Sequence, residues 1–156
     1  PDLEALASVC ERTIEMGRFF ASDCGTSLPR VVDTKTNCGT SYAIVDGGIH
    51  HVNYLGGNMG MRVPIIRHIP QREGAEPAPW ALCGSLCTTA DVLVRKAEFA
   101  GLEQGDLLAF ENIGAYSVTE GPALFLSRAM PRIVLHGAEG DRLARDTVQS
   151  WALNCE

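Results

Sequence analysis

Apolar side chains recur along the first segment at helical spacing. Leu3, Leu6, Ala7, Cys10 and Ile14 fall on one face, which predicts an amphipathic helix with Asp2 placed to cap it. Gly17 and Gly25 then bracket a short piece, Phe19 to Cys24. From Leu28 the texture changes to short alternating or β-branched runs. These predict strands over Leu28–Lys35, Ser41–Asp46, Ile49–Tyr54, Met61–His68, Trp80–Leu86, Asp91–Lys96, Gly105–Glu111 and Pro131–His136. Asn37-Cys38-Gly39 reads as the hairpin turn between the first two runs, and Asp46-Gly47-Gly48 as a tighter turn. Gln71 to Pro79, with its prolines, glycine and glutamates, reads as a surface loop. A last helix is expected from Asp141 to Asn154, with Leu143, Val148, Trp151 and Ala152 roughly on one side. Strands about 8–12 residues apart, with no helices between them, predict a mainly β chain: a Greek-key-like barrel with a helix at each end. Residues 1–25 do not share that texture and read as the tail of a preceding α/β region; residues 26–156 form the barrel domain.

A length of 156 residues is enough for one domain with a core of its own. The 46% hydrophobic and 21% charged content excludes a disordered tail, a fibre or a coiled coil. A net charge of −6 with no basic cluster argues against nucleic-acid binding. The charge-free runs, Gly47–Met61 and Pro77–Ala90, fall short of the ~20 apolar residues of a membrane span. With no leader pattern, the expectation is a soluble, cytoplasmic protein. A start at Pro1 and an abrupt end at Glu156 point to a piece of something longer.

Chemistry-bearing residues are few. Cys83 and Cys87 stand at C-x3-C spacing with no second pair, and adjacent His50 and His51 would face opposite ways on a strand, so no metal site is expected. The six cysteines read as reduced thiols. Singly, Cys87 is either a general acid or a packing residue, Tyr116 either a site phenol or a rim tyrosine. Arg18 is either an anion clamp or a solvated side chain.

Their order along the chain carries more. Glu15-Met16-Gly17-Arg18, Asp46-Gly47-Gly48, Gly84-Ser85-Leu86-Cys87 with Asp91 four residues on, Gly105-Asp106-Leu107-Leu108-Ala109 and Gly114-Ala115-Tyr116 follow one another. This series resembles the carboxy-terminal part of the pyridoxal-phosphate-dependent decarboxylases of diaminopimelate, ornithine and related amino acids. Those enzymes share an alanine-racemase-like fold, in which an α/β barrel carrying the cofactor precedes a β-barrel domain. The resemblance runs from about residue 11 to 136. It implies that Glu15-Met16-Gly17-Arg18 is the counterpart of the family's Glu-Pro-Gly-Arg. Gly17 would then meet the phosphate of pyridoxal 5′-phosphate, Glu15 would lie near the pyridine ring, and Arg18 would bind phosphate or substrate carboxylate. Cys87 would be the acid that protonates the carbon left when carbon dioxide departs. An ordinary thiol suits that task, since it stays protonated at neutral pH yet can give the proton up. Tyr116 would reach cofactor or substrate. A homodimer is implied, with Cys87 and Tyr116 delivered across the interface.

Several positions depart from the family pattern. Met16 stands in place of proline, and Thr88 in place of the acidic residue that reads a substrate amine. Tyr54 and Asn58 align with a distal arginine–tyrosine clamp, and Leu124, Phe125 and Leu126 with a tyrosine–asparagine pair. These departures imply a small amino-acid substrate other than diaminopimelate, with a neutral or acidic distal end. His50, His51 and Arg62 could supply positive charge, and Asp91 or Glu120 could replace the missing acid. The only lysines are Lys35 and Lys96, neither in a cofactor-barrel context, so the Schiff-base lysine lies outside this chain. The chain alone is therefore expected to be inactive. The alternatives are a non-catalytic binding or regulatory relative, and an amino-acid racemase of the same fold.

Overall fold

The structure, a computed structural model, describes residues 4, 9–53 and 65–155. The expected first helix does not continue to Ile14: residues 11–16 have no regular structure, and Val9 and Ile14 are each 78% exposed. A helix face with nothing to pack against keeps little of its stability. Leu3, Leu6 and Ala7 lie outside the described residues, as do Tyr54, Asn58 and Arg62. A short helix, α1 (Gly17–Ala21), runs into a 3₁₀ turn at Ser22–Cys24.

The chain then becomes predominantly β, as its alternation requires. One sheet has the order β1 (Thr26–Ser27), β7 (Leu107–Glu111), β4 (Ile66–Ile69). A second runs β2 (Val31–Asn37), β3 (Thr40–Val45), β5 (Pro77–Cys83), β6 (Val92–Ala100). The first pair turns through Cys38 and Gly39, both at positive φ, with Asn37 opposite Thr40. That is the hairpin expected there, and a two-residue loop with left-handed residues suits strand twist. β3 and β5 pair in parallel and the other neighbours antiparallel. Pro77 and Pro79 lie within β5, extending it into the expected loop. They pair with β6 only, so their missing N–H groups break no ladder on the β3 side.

The two sheets share one core. Val31 donates to Asp106 O at 2.8 Å and Leu108 to Pro29 O at 3.0 Å, which lays the start of β2 along β7. Val31, Val45, Leu82, Leu93, Val94, Leu108 and Phe110 are almost completely enclosed between them. One end is closed by the carboxylate of Asp106, which accepts from both Arg72 terminal nitrogens at 2.6 and 2.7 Å. It also lies 2.7 Å from His68 Nε2 and accepts from the Glu103 N–H at 2.8 Å.

Two expected elements take other forms. Ile49–Tyr54 is no strand where it is described: His51 and Val52 both donate to Gly48 O, at 2.9 and 3.1 Å, making a turn. The expected helix from Asp141 is replaced by β9 (Gly140–Arg145), paired antiparallel with β8 (Ile133–Gly137). Gly140 at φ 101 completes the reversal, and the alternating Asp141–Arg145 then finds a strand already beside it. A 3₁₀ turn, Ser150–Leu153, lies near the end of the described chain, where the last helix is expected. Among the described residues no helix is long and apolar enough to cross a membrane.

Candidate active site

Two adjoining regions hold the chemistry-bearing residues. The first centres on Gly17. A methyl group there would collide with the Tyr116 hydroxyl and stand 3.3 Å from Glu15 Oε1, so the absent side chain is what lets the phenol approach the backbone. Arg18 donates from Nη1 to Ala115 O at 3.0 Å, and its guanidinium carbon lies 5.1 Å from the Tyr116 ring centroid. Glu120 stands 3.8 Å away from Arg18 Nη2, a loose and half-exposed pair.

A second glycine contact makes this meeting possible. Gly25 and Gly114 lie backbone to backbone, too close for a Cβ on either. Gly114 donates to Ser22 O at 2.9 Å and Ile113 to Gly25 O at 3.1 Å. The 3₁₀ turn after α1 is thus locked to the loop after β7, and Tyr116 emerges from that loop at φ 65 facing α1. Glu15, Gly17, Arg18 and Tyr116 form one cluster within a single chain. Tyr116 stands beside Gly17 of its own chain, whereas Cys87 lies on a separate turn.

The second region is the Cys87 turn. Cys87 is exposed, on the segment between β5 and β6. The turn is shaped by Asp91, only 2% exposed, whose Oδ2 accepts from Leu86 N at 2.7 Å and whose Oδ1 accepts from Ile49 N at 2.8 Å. Both glycine positions facing that carboxylate, Gly48 and Gly84, leave no room for a Cβ. Asp91 therefore joins the 46–51 turn to the Cys87 turn, and Ser85 N donating to Gly47 O at 2.8 Å adds a second link. So held, Asp91 is not free to replace a missing acid. The Thr88 hydroxyl accepts from Ala90 N at 3.2 Å, which helps shape the same turn.

A bridge of residues connects the regions. Asn53 donates to Glu120 O at 3.2 Å, and Gly121 packs against the backbone of Ile49 and His50. His50 is 2% exposed, and among the described residues neither ring nitrogen has a hydrogen-bond partner. Burial, then the neighbouring His51 and Arg128, lower its pKa to about 4, so it is neutral at pH 7. His51 is also lowered, chiefly by burial, and its Nε2 lies 2.8 Å from Ala129 O, which requires the proton on Nε2. Arg128 donates from Nη2 to Ser85 Oγ at 2.8 Å. Sequence reasoning singled out Cys87, Tyr116, Gly17 and Arg18 but neither Arg128 nor the structural task of Asp91. An isolated arginine after a run of apolar residues gives no local signal, since its partner is 43 residues away. Among the described residues no cluster could hold a metal ion.

Known proteins resemble this chain in sequence and fold. A family-wide profile described as "Pyridoxal-dependent decarboxylase, C-terminal sheet domain" matches residues 18–114. The chain is 32% identical over 128 residues to the L-glutamyl-[BtrI acyl-carrier protein] decarboxylase of Niallia circulans, covering 78% of this chain and 30% of that protein. It is 28% identical over 126 residues to the 2-[(L-alanin-3-ylcarbamoyl)methyl]-2-hydroxybutanedioate decarboxylase of Staphylococcus aureus, covering 77% and 32% respectively. The crystal structure of the M. jannaschii diaminopimelate decarboxylase with L-lysine superposes with a TM-score of 0.78 at 26% identity, covering 88% of this chain and 30% of that one. The chain thus spans about a third of the length of these relatives. It belongs to the family of carboxy-terminal sheet domains of pyridoxal-dependent decarboxylases.

Proposed function

We propose that this chain is the carboxy-terminal part of a pyridoxal-phosphate-dependent amino-acid decarboxylase, residues 1–25 ending the cofactor-bearing domain and residues 26–156 forming the β domain. The observation that carries this reading is the convergence of Glu15, Gly17, Arg18 and Tyr116 around a backbone left bare at Gly17. Those residues fit a phosphorylated cofactor. Arg18 offers a guanidinium oriented by Ala115 O, and Tyr116 offers a hydroxyl beside it, brought against the backbone by the missing Cβ of Gly17. When bound, pyridoxal phosphate supplies an electron sink for the bond to the departing carboxylate.

The roles of this chain's residues follow from their chemistry. Arg18 and Tyr116 bind and orient the phosphate, Arg18 or Tyr116 contacts the substrate, and Glu15 faces the ring end of the same cluster. Cys87 holds a proton on Sγ and gives it to the substrate carbon after carbon dioxide leaves. It lies on an exposed turn, and in this reading the turn enters the site of a partner subunit in a homodimer, while Tyr116 serves its own chain's cofactor. Thr88, a neutral hydroxyl beside Cys87, presents no carboxylate to a distal ammonium. The substrate is therefore an amino acid with a neutral or acidic distal end rather than meso-diaminopimelate. Two of the relatives, decarboxylases whose names carry a glutamyl or a hydroxybutanedioate group, agree in kind. A cytoplasmic location accompanies the reading.

The test is release of labelled carbon dioxide from carboxyl-labelled amino acids by the full-length protein, with and without pyridoxal phosphate. Cofactor-dependent release, greater for acidic or neutral substrates than for meso-diaminopimelate, is expected. No release from glutamate-type substrates, ornithine, lysine or meso-diaminopimelate would overturn the reading. In the same assay the 156-residue chain alone should be inactive, and borohydride reduction in the presence of cofactor should leave Lys35 and Lys96 unlabelled.

A further inference from the structure

We propose that Arg128 determines substrate specificity by binding a carboxylate at the substrate's distal end. The proposal rests on the decarboxylase reading above for the word substrate, but its geometry stands alone. The Arg128 backbone is fixed on both sides. Its carbonyl accepts from the fully buried Ser150 hydroxyl at 2.6 Å, and the next carbonyl, Ala129 O, is held by His51 Nε2 at 2.8 Å. Its guanidinium is aimed at the Cys87 turn by the 2.8 Å bond to Ser85 Oγ, two residues before the thiol.

No carboxylate lies within 4 Å of that guanidinium among the described residues. An oriented guanidinium whose hydrogen-bond partner among the described residues is the Ser85 hydroxyl can match a carboxylate in planar, two-point fashion. Thr88 beside the thiol adds no negative charge that would repel it.

The experiment uses the full-length protein loaded with cofactor and two isosteric probes, glutarate and its monoamide glutaramate, titrated by calorimetry. Arg128→Gln should weaken glutarate about 10–100-fold, the range for losing a hydrogen bond to a charged group, and leave glutaramate within about twofold. Arg128→Lys should retain part of the glutarate affinity, since it keeps the charge but not the fork. Ser85→Ala separates recognition from support of the turn, because it removes the Arg128 contact and keeps the charge. Because that bond orients the guanidinium, the substitution should weaken glutarate, though less than Arg128→Gln does, and leave glutaramate unchanged. Equal losses for both probes in Arg128→Gln, or no preference of the wild-type protein for glutarate, would each overturn the proposal. Binding is read without turnover. A protein that discriminates the probes through Arg128 yet releases no carbon dioxide sinks the decarboxylase reading alone. A decarboxylase indifferent to Arg128 sinks this one alone.

Discussion

Gly17 is the residue on which the cofactor side of the account turns. Its bare backbone lets the Tyr116 hydroxyl lie where a Cβ would otherwise be. Gly17→Ala should therefore displace Tyr116 and raise the dissociation constant of pyridoxal phosphate about tenfold, equivalent to about 1.4 kcal/mol. Tyr116→Phe removes the colliding oxygen, so adding it to Gly17→Ala should cost less than the two single effects together; a spectroscopic cofactor titration of the four proteins measures this coupling. Strict additivity would show that the phenol and Gly17 do not share a site. These residues were legible in the sequence because a glycine beside an arginine, and a tyrosine after Gly-Ala, are local patterns. The contact between them was not, since it depends on Gly25 meeting Gly114 across the fold.

Among the elements, the linked 46–51 and Cys87 turns depend most on one side chain. The two oxygens of Asp91 accept from two different backbone N–H groups, and an amide can offer an acceptor to only one of them. Asp91→Asn should thus destabilise the 156-residue chain by about 2–3 kcal/mol, read as a lower urea midpoint with unchanged slope. A midpoint within experimental error of wild type would refute the two-turn linkage. Sequence pattern reached most of β2, β3, β5, β6, β7 and β8, because each has alternation or β-branched residues bounded by turn formers. It mistook β9 for a helix. Leu143, Val148 and Trp151 can be drawn on one helix face, yet a strand beside Gly140 offers hydrogen bonds at once, while the helix would have had to find a face to pack on. It also took Ile49 onward for a strand, because the buried Asp91 that bends the chain there is distant in sequence.

Across the whole molecule, two buried ionisable sites make stability fall with acid in separate windows. His50 binds its proton less readily folded, with a pKa near 4, than unfolded, near 6.5. The unfolded chain takes up that proton first, so stability is full above pH 6.5 and declines toward pH 4, by about 3 kcal/mol at most. Asp106 is held well below the usual carboxylate range, first by the hydrogen bonds from Arg72 and then by the Glu103 N–H and His68. Its contribution is present above the unfolded carboxyl pKa of 3.8 and is lost as pH falls further. Urea midpoints measured from pH 8 to pH 2 should show both declines. His50→Leu should shrink the upper one, leaving the part owed to His51, whose pKa burial also lowers, and Asp106→Asn should flatten the lower. An undiminished upper decline in His50→Leu would mean that His50 is not its main source.

The most direct test of the account follows product from the full-length protein carrying Cys87→Ala. If Sγ of Cys87 delivers the proton to the substrate carbon, the variant should bind pyridoxal phosphate as wild type does while turnover falls about 10²–10⁴-fold, the usual worth of a general acid. Carbon dioxide should still form, but the proton should then reach the cofactor instead, giving an aldehyde and an aminated cofactor in place of the amine, with activity lost as the cofactor is consumed. The ratio of aldehyde to amine is the quantity to measure. Wild-type turnover with amine as sole product would contradict the account.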